Sequence, residues 1–530
     1  MAVLVLPGRP ASAHAVLTQA EPQPGAVVAA VPPVVVLRFN ESVRVVPGKS
    51  QVVGPDGKRL STGDPEASDG ALSFRLRGTD RPTGTYVVSY RVISGDSHPV
   101  SGSFTFSVGA PSASAPQAVV IGTNPVVAAA VPAAKYVGYL GLVLLIGAAV
   151  MLALWYPRRL SRRGPLRMAR AGVAAVAASA LGALWLQAPA ASGAAVLDVS
   201  PVELREVLLS EFGLVLVGRL AALAAVAVLL GGLRRRPGRR RGALLVAAAV
   251  AGLVTWPLSG HPVASPHAAL LVAADVVHLA AMGWWIGGLA CLWALLLRRA
   301  DPRELRLILP SWSRWAMAAV YWLVVAGLVQ AVVQVGGWAE ITGSTYGRVI
   351  LLKAGLVAVV LGVAWFSRRL VQRGSAAAAP GRLRRTVGAE AAIAALVLAA
   401  SAALVQLSPG RTVDVEAVAA ARAQGFAATL TSSLYSVQFE VYPATVGEYN
   451  SFHAYAYTPE GKPLPVVEWK VTAALPEQGI EPMDNPVFTL VDNQGMGNVT
   501  FPLAGQWRLS LTLRISDFDQ ATVSTRIPVR

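Results

Sequence analysis

Cysteine is almost missing from this chain of 530 residues: Cys291 is the only one. A single thiol excludes an intrachain disulfide and any thiolate metal cluster, so a bound metal would have to use histidine, methionine, carboxylate or backbone groups. Those donors are scarce as well. There are 6 histidines and 7 methionines, and no methionine falls between His14 and residue 150. Charged residues make up only 14% of the chain. No P-loop, H-E-x-x-H motif or nucleophile triad is present, which argues against ATP-driven pumping and against an enzyme. No repeat of fixed period is present either.

What the chain has in excess is apolar sequence. Hydrophobic residues reach 54% and the mean hydropathy is +0.52, a balance that several membrane spans explain. The formal net charge of +17 raises the question of nucleic acid. The arginines, however, sit in short runs between apolar segments, which excludes that partner and favours membrane lipid. Three regions separate: residues 14–109 are soluble in character, 133–408 are apolar with arginine-rich breaks, and 425–530 are soluble again. Residues 110–132, rich in Ala, Pro, Ser and Val, read as a linker.

The first region reads as an all-β sandwich. Val34 to Phe39 is an apolar strand, and Gly54-Pro55-Asp56-Gly57 is a turn signal. Alternation places Tyr86, Val88, Tyr90 and Val92 on one face of a strand, and Phe104, Phe106 and Val108 inward on another. The third region alternates likewise, at Val437, Phe439 and Val441 and at Trp507, Leu509, Leu511 and Leu513, and predicts a second small β-sandwich.

The middle region predicts an eight-helix transmembrane bundle. The expected spans are roughly 133–156, 168–190, 210–232, 243–258, 269–297, 314–335, 347–366 and 387–408, against about 20 residues needed to cross. After the odd-numbered spans come arginine-rich loops: Arg158 to Arg170, Arg234 to Arg241, Arg298 to Arg306 and Arg368 to Arg385. The opposite loops are nearly bare. The positive-inside rule makes the arginine loops cytoplasmic, so both terminal domains are expected outside a bacterial plasma membrane.

Residues 1–13 read as the remnant of a secretion signal, with Ala11-Ser12-Ala13 as a small-x-small cleavage site. The segment lacks a basic start and holds only a short apolar run, so the true start is expected upstream or the sequence is expected to be clipped. Cleavage after Ala13 would leave His14 first, offering an α-amine and an imidazole to one metal. Asp96 and His98 are two apart and, in extended chain, project to the same side. Amine, two imidazoles and a carboxylate suit tetragonal Cu(II) better than Zn(II) or Cu(I).

These residues resemble a family. The pattern AHAVLTQAEPQPGA, FNESV and YVVSYRVISGDSHPVSGSFTFSV is similar to CopC, a periplasmic copper-binding protein of Greek-key β-sandwich fold. The resemblance implies that His14, Asp96 and His98 hold Cu(II). Some members add a methionine-rich Cu(I) site, for which this chain has no counterpart. Further on, Ser259-Gly260-His261-Pro262, then ADVVHLAAMGWWIGGL at 274–289, STYGRVILLKAGLV at 344–357 and GAEAAIAALVLAASAALVQLSP at 388–409 resemble CopD, a membrane protein of copper resistance. Fusion of the two is an arrangement found in this family and implies copper uptake or resistance. The third region is similar in character to small YtkA-like extracellular modules.

Ionisable residues inside spans are costly and usually face the bundle interior. Arg219, Asp275, His278 and Lys353 qualify, each expected roughly 9–14 Å below the outer end of its span at about 1.5 Å per residue, so that they share a depth in the outer half. Asp275, His278 and Met282 follow i, i+3, i+7 and share a helix face. With His261 and His267 in the loop above, they make a candidate copper pathway, with nitrogen and thioether donors for Cu(II) or Cu(I). The alternative is a structural Asp275–Lys353 ion pair. Glu390 lies near the opposite end of the last span.

The leading expectation is a protein that captures Cu(II) outside the cell and passes copper into or across the membrane, with other copper-handling proteins as partners. A copper-sequestering protein without transport is the second reading. A membrane redox or haem protein is the third, and it is disfavoured because only His278 is clearly inside a span.

Overall fold

The computed structural model describes residues 15, 17–28, 30–77, 83–109, 112, 122–231, 239–260, 262–263, 267–335, 341–342, 345–373, 380–407, 426–442, 444–459 and 461–529. By internal contacts the chain divides into two units. One comprises residues 1–15, Ile93–Pro99 and residues 122–413; the other comprises residues 16–92, 100–121 and 414–530.

Among the described residues the first β-region has nine strands: β1 Leu17–Glu21, β2 Val27–Val28, β3 Val34–Phe39, β4 Val43–Val45, β5 Gln51–Val53, β6 Glu66–Ser68, β7 Ala71–Arg75, β8 Gly84–Ser94 and β9 Pro99–Val108. They form two sheets, in the orders β1-β3-β7-β6 and β2-β9-β8-β4, with β5 pairing to β8. The expected strand at Val34 to Phe39 is β3, in antiparallel register with β7. Gly57 closes its turn with φ +75°, its N–H donating to Gly54 O at 2.9 Å. Strand β8 differs from simple alternation. Tyr86, Val87 and Val88 are all buried, because the strand is covered on both faces. Phe104 is only half-buried, whereas Phe106 and Val108 are buried.

Eight helices among the described residues are long and apolar enough to cross a membrane. The helices are α1 Pro125–Leu154, α2 Arg163–Ser192, α3 Pro201–Leu209, α4 Glu211–Gly231, α5 Arg239–Val254, α6 Ala268–Cys291, α7 Pro302–Val335, α8 Thr345–Gln372 and α9 Pro380–Leu404. Several boundaries depart from expectation; the sixth and eighth spans start earlier, at Pro302 rather than 314 and at Pro380 rather than 387. Helix α1 starts at Pro125 rather than 133, because the Asn124 carboxamide caps it, accepting from Val126 N at 2.9 Å, and Pro132 is taken inside the helix. The arginine-poor loop before α4 contains the short helix α3, fixed by a capping box between Ser200 and Glu203. Past Cys291, α6 runs through a π-helical turn, Leu292–Leu296.

Glycines set the closest approaches in the bundle. A Cβ on Gly147 of α1 would lie 2.2 Å from the Gly287 carbonyl carbon of α6, and one on Gly287 would lie 2.1 Å from Val143 O. Helices without a hydrophobic driving force between them associate through such small-residue contacts.

The second β-region comprises β10 Phe426–Thr431, β11 Ser436–Tyr442, β12 Gly447–Tyr457, β13 Glu468–Leu475, β14 Ile480–Asn485, β15 Val487–Val491, β16 Gln494–Phe501, β17 Gly505–Arg514 and β18 Gln520–Val529. Its sheets run β10-β11-β12-β16-β15 and β14-β13-β17-β18. They share one core, in which Val437, Phe439, Val441, Trp507, Leu509, Leu511 and Leu513 are buried as the alternation predicted. The Trp507 indole N–H, buried with its ring, donates to Leu503 O at 2.8 Å.

Candidate metal centre

The turn between β8 and β9 carries Gly95-Asp96-Ser97-His98. Ser97 takes φ +72°, a left-handed conformation that folds the chain back on itself. Ser97 N donates to Ser94 O and Ser94 N to His98 O, both at 2.9 Å. The geometry is therefore a tight turn, not the extended segment expected from the two-residue spacing. Asp96 and His98 still converge, because the Ser97 reversal brings them together.

The Asp96 side chain is fully buried and its Oδ1 gathers donors. It accepts from the Ser94 hydroxyl and from His98 N at 3.2 Å, and His98 Nδ1 stands 3.3 Å away. The His98 side chain keeps a small opening to solvent at 16% exposure. First-row divalent ions sit roughly 2.0–2.2 Å from imidazole nitrogen and carboxylate oxygen. Two cis donors of one ion then lie about 3 Å apart, close to the spacing seen. His14 lies outside the described residues.

In the same unit as this turn are the helices that touch it. Gln187 of α2 donates from Nε2 to Ser97 O at 2.7 Å. Lys135 of α1 is a charged neighbour of Asp96. Sequence reasoning missed Lys135 because a span starting at 133 put it at the edge. The Asn-Pro cap at Asn124 was the signal that the helix starts earlier.

Deeper in the bundle, α6 carries Asp275, His278 and Met282. Gln330 of α7 donates from Nε2 to Asp275 Oδ1 at 3.3 Å. His278 Nδ1 lies 3.0 Å from Leu323 O. A carbonyl only accepts, so Nδ1 carries the proton and, in the neutral ring, Nε2 keeps its lone pair. Gly327, one turn beyond Leu323, makes room for the ring: a Cβ there would sit 3.1 Å from His278 Cε1. Lys353 of α8 is the charged neighbour of both Asp275 and His278, yet no salt bridge joins it to Asp275 among the described residues. Met282 is buried in the helical core. His267 stands at the start of α6, where its carbonyl accepts from Leu271 N at 3.0 Å. His261 lies outside the described residues. No group of three or more His, Cys, Asp or Glu side chains suited to a metal occurs among the described residues.

Arg219 forms a separate polar node. Its guanidinium donates to Thr255 Oγ1 at 3.0 Å, Thr255 O at 2.8 Å and Ser259 Oγ at 2.8 Å, and lies 4.4 Å from the Trp256 ring centroid. Arginine satisfied by hydroxyl, carbonyl and indole is a stable way to keep a cation within a bundle.

Family models match three stretches of the chain. A CopC domain covers residues 17–109, a copper resistance protein D-like N-terminal domain covers 126–268, and copper resistance protein D covers 306–404. Fold and matches together define a copper-related, multi-pass membrane protein. Among individual proteins, the chain is 25% identical to copper transport protein CutJ of Bacillus subtilis over 96% of this chain and 95% of that one. It is 30% identical to copper resistance protein D of Pseudomonas syringae pv. tomato, over 42% of this chain and 77% of that one. The crystal structure of CopC from Methylosinus trichosporium OB3b matches 18% of this chain and 93% of its own, at 32% identity and a TM-score of 0.16. The chain belongs to the CopC/CopD copper-resistance family, with both modules in one polypeptide.

Proposed function

We propose that this protein captures Cu(II) at the β8–β9 turn and passes copper into its helical bundle for entry into the cell. Asp96 and His98 are the described ligands of the capture site, and His14, freed by cleavage after Ala13, supplies an amine and a second imidazole. The observation that carries this reading is the hydrogen bond from Gln187 to Ser97 O. It sets the end of α2 against the residue between the two ligands, so copper leaving the turn does so beside the bundle. His278, with Nε2 available, and Met282 next receive it, as Cu(II) or as Cu(I). The arginine-rich loops face the cytoplasm and both β-regions lie outside, which puts the turn on the side of supply. A relative of nearly the same length is called a copper transport protein, which supports transport over storage.

The test is copper entry into sealed vesicles holding the full chain, compared with copper bound by the same chain in detergent. Entry that falls in His278→Ala while one Cu(II) per chain stays bound supports transfer. Binding without entry in the unaltered protein makes it a sequestering protein instead.

A further inference from the structure

A trough runs down one side of the bundle between α1, α2, α4 and α5, a cavity of about 250 Å³. Its walls are aliphatic: Leu145 and Val150 of α1, Val176 of α2, Leu223 and Val226 of α4 and Leu253 of α5 all line it. Along α1 the lining runs from Leu142 to Ala153, about 16 Å at 1.5 Å per residue. That is close to half of the roughly 30 Å hydrocarbon core, the depth of one leaflet. Ala153 and Val246 of the lining are exposed, so the trough opens sideways onto lipid.

Among the described residues one charge stands in this lining, Arg219 of α4, and it is buried at 6% exposure. Its bonds to Thr255 and Ser259 use Nε and Nη2. Nη1 donates to nothing among the described residues and is not sealed from a water-sized molecule. The partners are neutral, so they satisfy N–H groups without offsetting the charge. No carboxylate pairs with Arg219 among the described residues, and its charged neighbour on α1, Lys135, is a second cation. A buried charge without a counter-charge is costly, which makes an anion the missing partner. Ser259 closes the short turn Pro257–Ser259 past α5, so the guanidinium marks the arginine-poor end of the trough. Trp256 gives it a fixed seat. Tyr139 stacks on that ring at 5.3 Å, and Gly138 makes room for it, since a Cβ there would sit 2.7 Å from Trp256 Cη2.

We propose that this trough binds one anionic phospholipid from the leaflet at the arginine-poor end, with its phosphate on Arg219 and one acyl chain down the trough. Order and direction match such a lipid. The anion-binding group stands at the end nearer the membrane surface, and the aliphatic wall runs from there toward the midplane. The space exceeds the apolar cavity of about 150 Å³ that stays dry and takes up benzene, so a stretch of hydrocarbon chain has room. The sign of the headgroup follows from the lining. A zwitterionic head brings an ammonium, and no carboxylate lines the trough to receive it. A headgroup of net negative charge offsets Arg219, in the way that basic pockets between membrane helices hold acidic lipid heads. The inference goes beyond the copper route, since none of the residues given a copper role lines the trough.

Native mass spectrometry of the full chain in detergent, titrated with phosphatidylglycerol or with phosphatidylcholine carrying the same acyl chains, tests this without any copper. The unaltered protein should retain one phosphatidylglycerol in preference to phosphatidylcholine. Arg219→Gln should weaken that retention by about 10-fold or more, as loss of a hydrogen bond to a charged group implies, and Arg219→Lys, which keeps the charge, should weaken it less. Ala249→Phe fills the trough and leaves Arg219 in place. It should lower retention as well, and it decides the matter if Arg219→Gln does not fold. Glycerol phosphate, a head without chains, should not displace the lipid at equal concentration. Equal retention of the two phospholipids would overturn the proposal. So would retention unchanged in Ala249→Phe, or displacement by glycerol phosphate, which would make Arg219 a site for a free anion.

Discussion

The two β-regions each hold one histidine on or beside a central strand, and they use it differently. In the first, His98 sits in a tight turn, 3.3 Å from a fully buried carboxylate, with one edge open. In the second, His453 lies in the middle of β12, directly across from Glu440 on β11 and Met496 on β16. Its side chain stands on the solvent face of a sheet whose other face carries Phe452 and Ala454. The difference shows why the first is the one proposed as a metal centre. Turn geometry gathers donors and removes them from water in advance, whereas a flat sheet face leaves each side chain to pay its own ordering entropy.

The largest effect that would break this comparison is on copper binding. His98→Ala should weaken Cu(II) binding by the intact protein by more than about 100-fold, beyond what losing an outer-shell partner costs. Equal affinity in competition titration would remove the turn from consideration. Binding should also weaken as pH falls, because the carboxyl must be ionised and the imidazole neutral to ligate.

The next effect concerns the helical bundle. Gly147→Leu forces a side chain where Gly287 backbone already stands, and overpacking of this kind costs about 1–3 kcal/mol. Thermal unfolding in detergent should come earlier, with Cu(II) affinity at the turn unchanged. Gln187→Ala removes one neutral hydrogen bond, a contribution of about 0.5–1.5 kcal/mol. Initial copper entry should slow by roughly 2–10-fold at that cost, while affinity holds. The smallest effect sharpens the comparison from its other side: His453→Ala should leave copper stoichiometry unaltered, and a lost equivalent of copper would make the second β-region a binding partner of the first.

Much of the fold was legible because its signals are local. Strict alternation at Trp507, Leu509, Leu511 and Leu513 needs only a period of two, and all four are buried. The eight apolar segments follow from length and composition. Helix α3 was written in Ser200-Pro201-Val202-Glu203 as a capping box but is too short to stand out beside spans. The nearness of Asp96 to His98 was legible, though for the wrong local reason, since Ser97 turns the chain rather than extending it. What the sequence hid is long-range. Nothing local to Ser97 points to Gln187, which lies 90 residues away. Likewise the tautomer of His278 depends on a carbonyl of another helix.

Copper counted inside sealed vesicles at limiting external Cu(II), with the full chain carrying either Asp96 or Asn in its place, puts the whole scheme at risk. If metal enters by way of the turn, the unaltered protein fills the vesicles and Asp96→Asn lags far behind, the gap narrowing as copper is raised. Identical filling at every copper concentration would mean that ions reach the bundle without visiting the β-domain.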